Sequence, residues 1–260
     1  MAKKAKQVDN RLLSSGKVIR AATTHTPTIA TALAARAVEI QGPNTKATKE
    51  AFAIVLGFLA ESLAHGADRL DQAELAVVAE RADDIPVREQ RDSLHADLLS
   101  RLVRIRSNVA DAVGHDALRT YGLEGATPRT PREATSHAFN VANLLKQKPF
   151  KVEVDGATFD SAGMVATLES KAGALHAALE DIEREDQELA DALGRRDRIT
   201  GTWTDDYQGV ADALTGLFRL GGRKDLAERV RPTSRTLSGE EVLAGEEEPL
   251  PTEETPSPQV

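Results

Sequence analysis

The sequence predicts an all-α fold: an antiparallel bundle of about four long helices with heptad seams, plus one shorter helix and a small β-hairpin. Three observations predict it. Ala and Leu supply 40 and 28 of the 260 residues, while Phe, Tyr and Trp together supply nine. Large β-sandwiches and barrels pack on aromatic and β-branched residues, so this alphabet argues against them. Leucine also recurs at alternating spacings of three and four, the repeat that keeps one face of a helix on a neighbour. Convincing strand alternation is confined to one short segment.

Taken in order, residues 1–27 read as a flexible basic arm, with a helix near 9–22. A short helix is expected after Pro27, over TIATALAARAVEI, ending at Gly42-Pro43. From Thr45 a longer pattern starts. Phe52, Leu56, Leu59, Leu63, Gly66, Leu70, Ala73 and Val77 form a heptad seam. The spacing predicts a stop near 82–84 and a restart at Asp84 and Pro86, a capping acid before a proline tolerated in the first turn. The return helix carries Leu94, Leu98, Leu102, Ile105 and Val109 to about Thr120, giving a helical hairpin over about 45–121. Gly122, Gly125 and Pro128 break the chain. Thr130-Pro131-Arg132-Glu133 is a capping box that opens a helix to about Lys146.

The β-hairpin follows at 150–159. Phe150, Val152 and Val154 alternate with polar residues around an Asp155-Gly156 turn. One apolar face predicts a buttress laid on the helices. A second helical hairpin is expected over about 160–221. Its first seam is Leu168, Ala172, Leu175, Leu179, Ile182, Asp186, Leu189 and Leu193. A turn bracketed by Gly194 and Gly201 leads to Trp203, Tyr207, Val210, Leu214 and Leu217, and the helix ends at Gly221-Gly222. A short basic helix, RKDLAERV, precedes Pro232. The bundle thus spans 28–235.

The net charge of −8 belongs to the end of the chain. Residues 238–260 hold seven Glu and no Lys or Arg, while the first twenty residues sum to +5. The stretch 236–260, rich in Pro and Glu, cannot bury enough apolar surface to offset ordering entropy and reads as a disordered acidic tail. Its alternative role is to dock on a basic partner or on basic segments of its own chain. The absence of cysteine excludes disulfides, thiolate metal sites and a cysteine nucleophile. The start of the chain lacks the apolar core of a secretory signal, and no uninterrupted apolar run reaches the length of a bilayer span, so the expected location is cytoplasmic.

Few residues suggest chemistry. AFAIVLGFLA, residues 51–60, is ten apolar residues in a row, and a helix apolar all round is expected to be buried on every side. The alternative is a partner-binding or membrane-inserting patch carried by Phe52, Leu56, Phe58 and Leu59. Asp186 interrupts a leucine seam. A solvated helix face explains it, and a register-setting ion pair with Arg101 is the alternative. Glu61 and His65, and the column Glu169, His176 and Glu183, lie beside seams and read as solvated. GLFRLGGRKD, residues 216–225, lacks the glycine spacing and the Ser/Thr of a phosphate loop. No hydrolase or dinucleotide signature is present, and no cofactor or metal is expected. Basic segments without interleaved aromatics give no expectation of nucleic-acid binding.

The expected function is therefore non-enzymatic: a helical-bundle protein for structure or protein–protein interaction, through a partner or self-association. A membrane-interacting bundle of the toxin or carrier kind is the alternative, and a ligand-binding or catalytic bundle the third.

Overall fold

Apolar residues every three to four positions give the chain three helices far longer than usual. The computed structural model describes residues 3–154 and 156–240. In order these form α1 (Lys6–Gln41), α2 (Lys49–Val113), α3 (Ala117–Thr120), α4 (Pro131–Gln147), β1 (Lys151–Val154), β2 (Ala157–Asp160), α5 (Ser161–Leu220), α6 (Lys224–Val230) and α7 (Ser234–Ser238). The all-α class with one antiparallel two-stranded hairpin is as the sequence predicts.

The chain divides into two compact units, Val77–Leu193 and Lys3–Ala76 with Gly194 onward. In the first unit, Leu98, Leu102, Ile105 and Val109 of α2 share a core with Ala138, Val141 and Leu145 of α4 and Leu168, Ala172 and Leu175 of α5. Within it α2 and α5 are antiparallel: Arg88 pairs with Asp186 and Arg101 with Thr167. Thr130 caps α4 by accepting from the Glu133 N–H, with Pro131 in the first turn, so the expected cap forms, while no return bond from the Thr130 N–H to the Glu133 carboxylate is present among the described residues. The hairpin pairs Val152 with Phe159 and Val154 with Ala157. Phe150 and Phe159 lie against this core, and the Phe150 ring sits 5.8 Å from that of Tyr121. Gly156, at φ 77°, supplies the left-handed residue of the turn. Its expected partner Asp155 lies outside the described residues.

In the second unit, Val8, Val18, Ala22, Ile29 and Leu33 of α1 meet Leu56, Leu63 and Leu70 of α2. Trp203, Tyr207, Leu214 and Phe218 of α5 and Leu226 and Val230 of α6 complete this core. The Trp203 indole donates to Ser15 Oγ at 3.0 Å inside it.

Four expectations are corrected. First, the expected flexible arm 1–27 is helical over most of its described part: from Lys6 it is α1, held because Val8, Ser15, Val18 and Ala22 bury one face. Second, Pro27 lies inside α1 instead of opening a helix. Proline removes one backbone bond, and the buried Ala22, Ile29, Ala30 and Leu33 around it carry the helix through. Third, neither helical hairpin exists. The expected turn at 82–86 lies inside α2, and the one at 194–201 inside α5. Asp84 is spent as an i,i+4 ion-pair partner of Arg88 at 2.7 Å rather than as a cap. Spans 45–121 and 160–221 thus each contain one long helix in place of two.

Fourth, the start of the expected tail, 236–240, is structured. Thr233 caps α7 by accepting from the Thr236 N–H, and Gly239 ends it at φ 72°. Asn10 Nδ2 donates to the Gly239 carbonyl and Arg11 Nε to that of Leu237. A side chain at Gly239 would place Cβ 2.6 Å from the Gln7 carbonyl oxygen. The rest of the tail, 241–260, lies outside the described residues.

A helix through Gly201 and a turn at Gly201 respond oppositely to alanine. A Cβ there meets nothing within 4 Å. Gly201→Ala is therefore expected to raise stability by about 0.5–1 kcal/mol, the helix-interior preference of Ala over Gly. Urea denaturation of the two chains checks it, and a loss of stability would mean the helix is broken there.

Candidate functional site

The first two and a half turns of α2 carry two apolar stripes instead of one. Leu56 and Ala60 are buried in the second unit's core, and Phe52, Ala53 and Leu59 pack partly against it. The opposite face holds Ala51, Ile54, Val55 and Phe58, at spacings i, i+3, i+4 and i+7, the set of positions that lines one face of a helix. Ile54 is 72% exposed, Phe58 66% and Val55 46%. The run 51–60 is thus not buried on every side. Ten apolar residues on a helix cover its whole circumference, and the core in this structure covers only one side of it.

The sequence-predicted patch residues separate accordingly. Leu56 is core at 0% exposure, Phe52 and Leu59 are half-buried, and Phe58 alone of the four points outward. Ile54 and Val55 join Phe58 and were missed. The signal that finds them is the second stripe inside AFAIVLGFLA, offset by two residues from the seam. Single exposed apolar residues are ordinary on a protein surface; three on adjacent turns beside the half-buried Ala51 are a patch. Its ends and one edge are marked by Glu50 and Glu61, both exposed.

Alpha helix α2 also contains an 18-residue window long and apolar enough to cross a membrane by length and composition, with 22% of it buried. Counting only uninterrupted apolar residues misses this window, because its apolar character is interrupted by a few polar positions.

Asp186 does not meet Arg101. Its carboxylate takes Arg88 Nη2 at 2.7 Å, and Arg88 also binds Asp84. Arg101 instead donates to Thr167 Oγ1 at 3.3 Å. The reason is register: in the antiparallel pairing of α2 and α5, Arg101 lies opposite residue 167, far along the helix from 186. Asp186 is exposed, so the leucine seam has left the core at that point, and the pair is a solvated one with a small energetic effect.

The acidic and histidine groups beside the seams are solvated: Glu61, His65, His176 and Glu183 are exposed and Glu169 is half-buried. His176 lies 3.5 Å from Glu180, both exposed, and Glu183 and Glu169 pair with Arg132 and Lys146. Glu80, Glu185 and Glu188 bring carboxylate oxygens within 4.8 Å of one another in the first unit. Arg184, which the neighbouring Asp181 holds above the usual arginine range, also approaches Glu185 and Glu188 at 3.6 and 3.9 Å. A cation beside them would compete with that guanidinium. His137 is held below the usual histidine range by burial and then by Arg106. Residues 216–225 form the end of α5 and the start of α6, where Arg223 and Asp225 bind each other; no strand precedes them, as a phosphate loop requires.

No family model matches the chain, and neither does any curated protein or solved structure.

The two stripes of α2 separate by mutation. Leu56→Ala is expected to lower stability by about 2–5 kcal/mol, the usual range for truncating a buried leucine. Phe58→Ala is expected to change it by less than about 0.5 kcal/mol, as for a surface position. Denaturation midpoints of the two variants check this. Equal losses would mean that Phe58 is packed.

Proposed function

We propose that the chain is a non-enzymatic helical protein that works by protein–protein contact, with the outer face of α2 as the contact surface. The supporting observation is the stripe Ala51, Ile54, Val55 and Phe58 on the side of α2 opposite the core. Positions i, i+3, i+4 and i+7 are the anchors by which one helix lies against a partner's groove or helix. A rigid helix also presents them without ordering cost at the moment of binding. The groups on this face are hydrocarbon, able to exclude water but not to move protons or attack bonds, so the reading is of recognition and not of catalysis.

A second reading, insertion of this face into a membrane surface, is favoured by the membrane-length apolar window in α2. Glu50 and Glu61 beside the stripe count against an anionic lipid surface, since like charge repels at that distance.

A paired substitution, Ile54→Glu with Phe58→Glu, tests both. It leaves the core stripe intact, so the melting temperature is expected to stay within a few degrees of the parent. Association is read by sedimentation velocity and by affinity capture from the native cell extract, each compared between parent and variant. Loss of a specific complex in the variant is the expected result. Flotation of the parent but not the variant with vesicles would favour the membrane reading. Identical behaviour of the two chains in all three assays would overturn this surface as the working one.

A further inference from the structure

We infer that the acidic segment 241–260 binds in cis along the outer face of α1. Three observations converge on that pairing. The first is where the described chain ends. Glu240 follows Gly239, whose carbonyl accepts from Asn10 Nδ2 and whose Cα packs on the backbone of Gln7. The segment therefore leaves from the side of α1 itself, beside residues 7–11.

The second is the surface within reach. An open hollow of about 710 Å³ on α1 is lined by Asp9, Leu12, Leu13, Gly16, Ile19 and Arg20. Leu13 is 64% exposed. Gly16 keeps the floor low, since a Cβ there would meet nothing within 4 Å. From residue 10 to residue 20 the helix advances roughly 15 Å, and twenty residues of extended chain span up to roughly 70 Å. Less than half of the segment is enough to cover the hollow.

The third is chemical complementarity. Residues 241–260 contain six Glu and no Lys or Arg, with Val242, Leu243, Leu250 and Val260 as their bulky apolar residues. The face of α1 offers aliphatic Leu12, Leu13 and Ile19 beside the exposed Lys17 and Arg20. Neither cation has an ion-pair partner among the described residues. Glu241 comes first after the exit point, then Val242 and Leu243, then Glu246–Glu248, so past Glu241 the order along the segment suits apolar contact near Leu12 and Leu13 and acidic contact near Lys17 and Arg20. Asp9 is the one acidic group in the hollow, and it sits at the end nearest the exit. Tethering raises the local concentration of the segment to the millimolar range, so weak contacts suffice.

The chain has no cysteine, which makes a single introduced thiol a clean reporter. Gly16→Cys places it in the hollow, Leu13→Cys serves as a second reporter at its rim, and Ser100→Cys, exposed in the first unit, is the reference. Maleimide labelling of the full-length chain is followed at low salt. Cys at 16 or 13 is expected to react about tenfold more slowly than at 100. Molar salt, or Glu246, Glu247 and Glu248 all changed to Gln, is expected to bring the rates within about twofold, since exposed charge contacts are screened. Protection unchanged over a hundredfold range of protein concentration supports binding in cis. Equal rates at the outset, protection that survives loss of the three charges, or protection that appears only at high concentration would each overturn the inference.

Discussion

A carboxyl side chain at 0% exposure governs the register of the second unit. Glu74, on α2, accepts the Ala5 N–H at 2.6 Å and faces Arg196 Nη1 of α5 at 3.5 Å. It thus ties the start of α1 and the middle of α5 to a single point on α2. Heptad seams of Ala and Leu do not fix axial position by themselves, because a slip of seven residues brings like onto like. A buried carboxylate cannot slip without losing its partners, and an unpartnered one costs several kcal/mol. The Trp203 indole on Ser15 makes a second such point along the same core. Lys4 on Asp71, one turn from Glu74, adds a third at the surface. The cationic side shows the same tension: burial, and then Arg196, hold Arg11 below the usual arginine range.

Periodicity and local motifs made the helical class, the cap at Thr130, the hairpin and the core faces of α2 and α5 legible in the sequence. What it hid was continuity. Pro27, the pair Asp84 and Pro86, and Gly194 with Gly201 each read as punctuation, yet all lie inside helices. Local breakers cost a few kcal/mol at most, and burial on either side decides against them at Pro27 and Gly201. At Pro86 nothing is buried between Val77 and Leu98; the Asp84–Arg88–Asp186 ion pairs run through this stretch. Glu74 was illegible for another reason. It sits one residue off a seam in DQAELAVVAE and looks like any solvated acid until α1 closes over it. The partner of Asp186 was missed because the expected turns changed which residues of α2 and α5 face one another.

The candidate surfaces have a common origin. Alanine-rich helices bury narrow stripes, so large side chains placed off the stripe remain in water. On α2 that leaves Ile54, Val55, Phe58 and Leu75, and on α1 it leaves Leu13, Val38 and Ile40. Both faces belong to the second unit. In the first unit the exposed large residues Ile85, Val103, Val113 and Phe139 are spread over α2 and α4 without a stripe of their own. The run of exposed large hydrocarbon on adjacent turns thus lies in the second unit.

The position of the only tryptophan has an optical consequence. Trp203 is 1% exposed, its ring 5.0 Å from that of Tyr207 and with the Arg11 guanidinium 5.9 Å from its centroid. Intrinsic fluorescence excited at the indole edge therefore follows the melting of the second core and is blind to the first, which contains Tyr121 but no indole. A single smooth fluorescence transition does not establish that the chain unfolds as one cooperative block; that needs a probe of the backbone, such as far-ultraviolet dichroism, to move with it.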